Sequence, residues 1–138
     1  SLNYLANLYF NQLKYEQAEP LFIQALQLYK QLFGVNHPAT ATSLNNLAYL
    51  YFNQGKYKQA EPLFIQALQL KKQLLGFNHP DTATSLNNLA LLYYGQGKYE
   101  QAEFLFIQAL EISERVLGKN HPITLTFRGN LEYLRGKQ

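Results

Sequence analysis

The sequence predicts an all-α fold, a solenoid built from antiparallel helix hairpins. The first observation is a stretch, Ser-Leu-Asn-Asn-Leu-Ala, that begins at Ser43 and again 42 residues later at Ser85, with a shortened copy at Ser1. A fixed period of this length is typical of stacked helical repeats. The second observation is that apolar residues in each repeat follow helical spacing in two consecutive runs. The third is that single glycines and an Asn-His-Pro loop separate these runs.

The third repeat shows both predicted helices. Helix A is predicted from Thr82 to Tyr94, after Pro80, which stands where a helix can begin. Gly97 interrupts the apolar pattern, and helix B is predicted from about Tyr99 to Leu117. Gly118 follows where a helix commonly ends in a left-handed residue. Each repeat is therefore a helix, a tight turn, a longer helix and a short loop.

These boundaries divide one predicted domain, residues 1–138, into repeat 1 (1–38), repeat 2 (39–80), repeat 3 (81–122) and a capping helix (123–135). In the capping helix, Arg128 stands where the earlier repeats have leucine, and Glu132 stands where they have alanine. Charges at these places predict that no helix B packs there and that the outer side is polar. Because the chain opens within a repeat and lacks Met, we expect it to be a piece of a longer array.

Two motifs carry a family resemblance: Gly-Lys-Tyr-x-Gln-Ala-Glu-x-Leu-Phe-Ile-Gln-Ala-Leu and Gly-x-Asn-His-Pro. They resemble tetratricopeptide repeats, in the long form found in kinesin light chains and in similar arrays of bacterial signalling proteins. The resemblance covers nearly the whole chain and implies a right-handed superhelix of three such units plus a C-terminal capping helix. It also implies small residues where helices A and B cross. Those places hold Ala6, Ala18, Ala25, Ala48, Ala60, Ala67, Ala90, Ala102 and Ala109.

Composition argues against several classes of function. The chain has no Cys, which removes disulfides, thiolate metal sites and a cysteine nucleophile, and is compatible with a cytoplasmic setting. No apolar run approaches the roughly 20 residues of a membrane span, so no membrane partner is expected. The 12 Lys and Arg residues face 9 Asp and Glu and form no basic stripe, so nucleic-acid binding is not expected either.

The three histidines, His37, His79 and His121, each stand in an Asn-His-Pro loop. Three histidines could indicate zinc, but equivalent loops of a solenoid lie on the order of 10 Å apart, whereas zinc ligands lie about 2 Å from one ion. We therefore expect each histidine to cap or brace its loop, and we expect no metal and no cofactor.

An enzyme is the least favoured class. The glutamates lie mainly on the B helices, where pairs such as Glu100 and Glu103 are helix neighbours and read as a solvated face. The glycines occur singly and mark helix ends, so they form no phosphate-binding loop.

The A helices carry the candidate site. Once the buried positions are removed, each A helix leaves an uncharged stripe, which in tetratricopeptide arrays lines the concave groove. We call this set of residues the A-helix stripe. It comprises Asn3, Asn7, Phe10 and Asn11 in repeat 1; Thr42, Asn45, Asn46, Tyr49, Phe52 and Asn53 in repeat 2; Thr84, Asn87, Asn88, Leu91 and Tyr94 in repeat 3; and Thr126, Asn130 and Tyr133 in the capping helix.

The stripe predicts a scaffold that binds a short extended peptide of a protein partner. Asparagine amides can hold a peptide backbone, and aromatic walls can receive its apolar side chains. The resemblance to kinesin light chains implies cargo contacts by Asn45, Asn46, Asn87 and Asn88. It does not carry over their acidic preference, because Ile-Gln stands in helix B where that family typically has Lys-Arg. The Lys and Arg of the chaperone-type carboxylate clamp are also missing from the stripe.

Two alternatives stay open. The surface Asn and Tyr residues could be solubilising, in which case the chain would be a structural spacer. The first repeat could also mediate weak self-association, because Leu5 and Leu8 on its helix A have no preceding helix to cover them.

Overall fold

The computed structural model describes residues 2–137, which form seven α-helices and contain no strand. In chain order the helices are α1 (Leu2–Asn11), α2 (Tyr15–Phe33), α3 (Pro38–Asn53), α4 (Tyr57–Leu75), α5 (Pro80–Gly95), α6 (Tyr99–Val116) and α7 (Pro122–Arg135). The odd-numbered helices are the predicted A helices, and α2, α4 and α6 are the predicted B helices. The all-α repeat fold is thus confirmed.

The helices form two compact units. The first unit ends at Leu70 and the second begins at Lys71, so the boundary falls within α4. The first unit holds α1, α2, α3 and most of α4. The second holds the end of α4 together with α5, α6 and α7.

In the first unit, α2 packs against both α1 and α3. Ala6 and Ala18 are fully buried in the same core as Phe22. Because alanine has no side chain beyond Cβ, the two backbones can approach closely there. Tyr51 on α3 also donates a hydrogen bond to Glu19 on α2, at 3.3 Å, and burial together with this carboxylate raises the pKa of Tyr51.

In the second unit, α6 packs against both α5 and α7. Ala90 and Ala102 meet in a core that also contains Phe106, Leu131 and Leu134. The alanines predicted at helix crossings are all buried, namely Ala6, Ala18, Ala25, Ala48, Ala60, Ala67, Ala90, Ala102 and Ala109.

The three histidines are N-cap residues, which confirms the structural role predicted for them. Nδ1 of His37, His79 and His121 accepts a hydrogen bond from the backbone N–H two residues further on, at 3.0, 3.0 and 3.1 Å. Each cap satisfies one of the amides that a helix start leaves without an intrahelical partner. Between residues 2 and 137, no cluster of three or more His, Asp or Glu side chains could hold a metal ion.

Two arginines join the capping helix to its neighbour. Nη2 of Arg128 donates hydrogen bonds to Glu114 on α6 at 3.1 Å and to the backbone oxygen of Lys119 at 3.3 Å. Arg135 likewise donates to Glu103 on α6, at 2.9 Å. A long guanidinium side chain can turn back to a carboxylate, which the residue type alone does not reveal. These arginines therefore attach α7 to α6.

Candidate functional site

The A-helix stripe lies on α1 and α3 in the first unit and on α5 and α7 in the second. Its side chains differ in accessibility. The exposed members are Asn7, Asn11, Thr42, Tyr49, Asn53, Thr84, Thr126 and Tyr133; the half-buried members are Asn3, Phe10, Asn45, Asn46, Phe52, Asn88, Leu91, Tyr94 and Asn130; and Asn87 is buried.

Aromatic side chains of the first unit come together in a row. The ring centroid of Phe10 on α1 lies 5.5 Å from that of Tyr49 on α3, and Tyr49 lies 6.2 Å from Phe52. Tyr15 and Tyr57, at the starts of α2 and α4, lie 5.7 Å from Phe10 and Phe52 respectively. The predicted aromatic residues thus meet, with two tyrosines added that the stripe did not include.

Those added tyrosines have a visible signal in the sequence. Tyr15, Tyr57 and Tyr99 follow a lysine at the start of each helix B. Each ring contacts an aromatic ring late in the preceding A helix. The ring centroids of Tyr99 and Tyr94, for example, are 5.4 Å apart. The repeat motif includes this Lys-Tyr pair, whereas the predicted A-helix stripe does not.

The asparagine side chains of the first unit differ in whether they make hydrogen bonds within the protein. Nδ2 of Asn53 donates to the backbone oxygen of Tyr49 at 2.7 Å, so this donor is engaged within its own helix. Nδ2 of Asn3 reaches the hydroxyl of Tyr29 only at 3.5 Å. Oδ1 of Asn3 and Oδ1 of Asn45 are buried without a hydrogen-bond partner. A buried acceptor of this kind gains from any donor that approaches it.

The asparagines of the second unit form a pair. Nδ2 of Asn130 on α7 donates to Oδ1 of Asn87 on α5 at 3.1 Å. Only 6% of Asn87 is exposed, so this residue mainly positions Asn130. An amide pair retains donor and acceptor capacity beyond the one bond it makes, because each side chain has two N–H groups and two lone pairs.

A cavity of about 170 Å³ lies between α5 and α7, beside the asparagine pair; we call it the tyrosine cavity. Its walls are Leu91, Tyr94, Phe106, Asn130 and Tyr133. The rings of Tyr94 and Tyr133 lie 6.0 Å apart. Desolvation and, after it, a side-chain hydrogen bond with Tyr133 raise the pKa of Tyr94.

A second cavity, of about 350 Å³, lies at the first two turns of the same two helices; we call it the threonine cavity. Its walls are Thr84, Pro122, Ile123, Thr126 and Phe127. Thr84 and Thr126 donate their hydroxyl hydrogens to carbonyl oxygens of their own helices, at 3.1 and 3.0 Å. Their oxygens can still accept hydrogen bonds.

A third cavity of the second unit lies outside the predicted stripe. It has a volume of about 420 Å³ and is lined by Leu89, Tyr93, Glu100, Gln101, Phe104 and Leu105. Phe104 is 62% exposed and stands where the earlier repeats have Pro20 and Pro62. The presence of phenylalanine in place of proline is the only sign of this cavity in the sequence, and one exposed phenylalanine does not by itself indicate a cavity.

α1 also presents an exposed apolar face. Leu5 and Leu8 are 39% and 42% exposed, whereas Leu47 and Leu50, which hold the same places on α3, are 5% and 0% exposed. The sequence correctly indicated these leucines as uncovered.

None of the helices described between residues 2 and 137 is long and apolar enough to cross a membrane.

The profile of the tetratricopeptide repeat family matches the sequence in three overlapping segments, residues 1–73, 42–114 and 81–137. Together the segments cover nearly the whole chain. No curated protein matches it significantly.

Solved structures show the same fold. A candidate kinesin light chain from Podosopora anserina, with nearly identical TPR-like repeats, is 25% identical with a TM-score of 0.88, over 96% of this chain and 63% of that one. BtubC (BKLC) from P. vanneervenii is 26% identical with a TM-score of 0.89, over 96% of this chain and 53% of that one. This chain thus corresponds to between half and two thirds of the length of these proteins.

A more distant structure contains a peptide. The first TPR of Spaghetti (RPAP3), bound to the HSP90 peptide SRMEEVD, is 18% identical with a TM-score of 0.69, over 99% of this chain and 89% of that one. At this identity the likeness shows the fold alone.

Proposed function

Because the chain belongs to the tetratricopeptide repeat family, we propose that it is a protein-interaction scaffold that binds a short extended peptide along its A-helix stripe. The observation that best supports this proposal is the hydrogen bond between Asn87 and Asn130. Asn130 lines the tyrosine cavity, and the threonine cavity lies on the same two helices, α5 and α7. Amides beside apolar cavities can bind both parts of a peptide. The amides hydrogen-bond its backbone, and the cavities bury its side chains.

The first unit offers the same combination in another form. Asn45 places a buried, unpartnered oxygen on α3, the helix that also carries Tyr49 and Phe52. Aromatic residues are enriched where peptides and proteins bind, because they bury a large area at a small loss of side-chain entropy.

The peptide-bound TPR of Spaghetti supports the proposal only in that a fold of this kind accommodates a peptide. The ligand of the present chain should differ from that acidic peptide in how it is held. The A-helix stripe carries no charged side chain, so recognition should depend on amides and apolar contacts.

A peptide-library selection on the whole chain, followed by affinity measurements on the selected peptide, tests the proposal. We expect the double variant Asn45→Ala and Asn130→Ala to weaken binding by about tenfold, the loss of one or two hydrogen bonds. The matched control replaces two exposed loop asparagines, Asn36→Ala and Asn120→Ala. Equal weakening by both double variants, or a selection that yields no peptide, would contradict the proposal.

A second candidate function is self-association through α1, favoured by the exposure of Leu5 and Leu8. Sedimentation over a range of concentrations should show weak association that is reduced in the variant Leu5→Gln with Leu8→Gln. The control is Leu125→Gln on α7, a leucine that is 50% exposed. A strictly monomeric protein, or association that depends on Leu125, would exclude this candidate.

A further inference from the structure

We propose that the threonine and tyrosine cavities of the second unit take two apolar side chains that stand three residues apart in one peptide in the polyproline II conformation. The proposal rests on the proposed function and specifies its ligand. It is supported by four features of the second unit: the spacing of the two cavities, their sizes, the asparagine pair between them, and the charge beside one of them.

The spacing follows from helix geometry. Thr84 lines the threonine cavity, and Leu91 and Tyr94 line the tyrosine cavity, so the nearest lining residues on α5 are seven residues apart. Along α7, the middle of the threonine-cavity segment 122–127 and the middle of the tyrosine-cavity segment 130–133 are also seven residues apart. At about 1.5 Å per residue, seven residues correspond to about 10.5 Å along the helix axis.

Polyproline II geometry matches this distance. It rises about 3.1 Å per residue with three residues per turn, so residues i and i+3 lie on one side about 9 Å apart. In a β-strand, by contrast, side chains on one face are two or four residues apart, or about 7 and 13 Å. A polyproline II segment can therefore place two anchors in the cavities with little distortion.

The volumes of the two cavities determine which peptide side chains can fill them. A protein cavity of about 150 Å³ can hold a benzene molecule, so the tyrosine cavity, at about 170 Å³, has room for one phenylalanine or leucine side chain. An aromatic ring there can make tilted or edge contacts with Tyr94 and Tyr133. The threonine cavity is twice as large, at about 350 Å³, and accepts any single apolar side chain.

The asparagine pair fits the backbone that joins the anchors. Asn87 and Asn130 follow Thr84 and Thr126 by three and four residues respectively, between the two ends of the site. A polyproline II segment makes no internal hydrogen bonds, so its backbone groups need partners when water is displaced. The amide pair can supply both a donor and an acceptor at this point.

The charge beside the tyrosine cavity specifies one more peptide residue. Nζ of Lys137 lies 5.0 Å from the ring centroid of Tyr133. An acidic residue next to the anchor in the tyrosine cavity would face this ammonium group. The ligand is therefore an apolar residue, two residues of any uncharged kind, a phenylalanine or leucine, and an adjacent acid.

The first test measures fluorescence anisotropy of a labelled peptide, Gly-Ser-Leu-Pro-Ser-Phe-Glu-Ser-Gly, with the whole chain. Two control peptides move Leu and Phe to spacings of two and four residues. We expect the spacing of three to bind at least about tenfold more tightly, because each control can bury only one anchor. Equal affinity for all three spacings, or no binding of any, would overturn the proposal.

The second test uses variants of exposed residues, which should leave the fold intact. Tyr133→Ala in the tyrosine cavity and Ile123→Ser in the threonine cavity should each weaken the peptide by about tenfold. Their controls are Phe104→Ala, which is as exposed as Tyr133, and Leu125→Ser on α7. Weakening by Phe104→Ala, with no effect of Tyr133→Ala, would move the ligand to the 420 Å³ cavity and overturn the proposal.

The third test concerns the acid. Lys137→Gln should weaken the Glu peptide by about twofold to fivefold, as expected for an exposed ion pair, and should leave the Gln version of the peptide unchanged. Loss of affinity for both peptides would contradict a charge pairing. If binding of a library-selected peptide depends on Asn130 but not on the spacing between its two apolar residues, the proposed function is supported and this inference is excluded. If a second copy of the chain occupies the cavities instead, Tyr133→Ala will reduce self-association in sedimentation and the peptide will not bind.

Discussion

Leu13 adopts a φ of 60° in the turn after α1, where Gly55 adopts a φ of 75° in the turn after α3. The two turns make the same hydrogen bond: the N–H of the following lysine, Lys14 or Lys56, donates to a tyrosine carbonyl oxygen at 2.8 Å. A hydrogen bond of this type closes the helix end through a residue with positive φ. Glycine adopts that conformation without strain, whereas leucine pays about 1–2 kcal/mol for it.

We therefore predict that Leu13→Gly stabilises the protein. Relief of the strain should exceed the added chain entropy of glycine, for a net gain of about 0.5–1 kcal/mol in the free energy of unfolding measured with urea. Leu13 is 72% exposed, so little burial is lost. The reverse control is Gly97→Ala, which should destabilise by about 1 kcal/mol; a Cβ there meets no atom within 4 Å, so the cost comes from the backbone. A destabilised Leu13→Gly variant would contradict the strain argument.

Two buried threonines of the second unit give a matched pair. Thr82 donates to the backbone oxygen of Gly76 at 2.7 Å, whereas the hydroxyl of Thr124, at the same place one repeat later, has no partner. Thr82→Val should cost about 0.5–1.5 kcal/mol, because it removes the bond and leaves the carbonyl oxygen without its donor. Thr124→Val should be neutral or stabilising. Thermal unfolding of both variants measures the difference, and an equal loss in the two would show that the hydroxyls are equivalent.

The third prediction concerns the close packing of helices at their crossings. Ala102 is fully buried where α6 meets α5, so Ala102→Leu should overpack the crossing and cost about 1–3 kcal/mol. Its exposed neighbour on the same helix provides the control, Gln101→Leu, which should change stability by less than about 0.5 kcal/mol. Urea titrations that failed to separate the two variants would show that this crossing tolerates bulk.

The fold could be predicted because its determinants are local and repeated. Ala102 and Ala60 are small because of helix contacts that recur at every period, and His79 caps the helix that begins at the next residue. Gly97 and Gly118 mark helix ends through their own φ angles. Signals of this kind depend on a few neighbouring residues, so the apolar spacing together with these helix-end residues was sufficient to predict the helices.

The site could be predicted only as a set of positions. That Asn130 donates to Asn87 depends on how far α5 and α7 are held apart by α6, which no residue of either helix specifies. The hydrogen bond from Arg128 to Glu114 likewise depends on how α7 packs against α6, because a long side chain can turn in several directions. Cavities arise from the same packing, so the positions of Ile123 and Phe104 on cavity walls were not visible in the sequence.

The last prediction concerns the salt dependence of binding. Because the A-helix stripe is uncharged and the proposed ligand has a single acid facing Lys137, affinity for the labelled peptide should fall by less than about fivefold between low and high salt. An electrostatic ligand such as a nucleic acid, held by 6–10 phosphate contacts, would lose about 10³-fold or more between 50 and 200 mM salt. The two kinds of ligand are therefore separated by a simple salt titration.

Lysine variants complete this test. Lys56→Gln, Lys58→Gln and Lys72→Gln together remove exposed charge outside the stripe and should leave peptide affinity unchanged. Lys71 is left in place, because its side chain is largely buried and lies 4.0 Å from Asp81, so its loss would disturb the fold. If the lysine triple variant or added salt abolishes binding while Asn45→Ala with Asn130→Ala does not, the A-helix stripe is not the binding surface. The chain would then be an electrostatic binder that acts through the lysines of its turns and B helices.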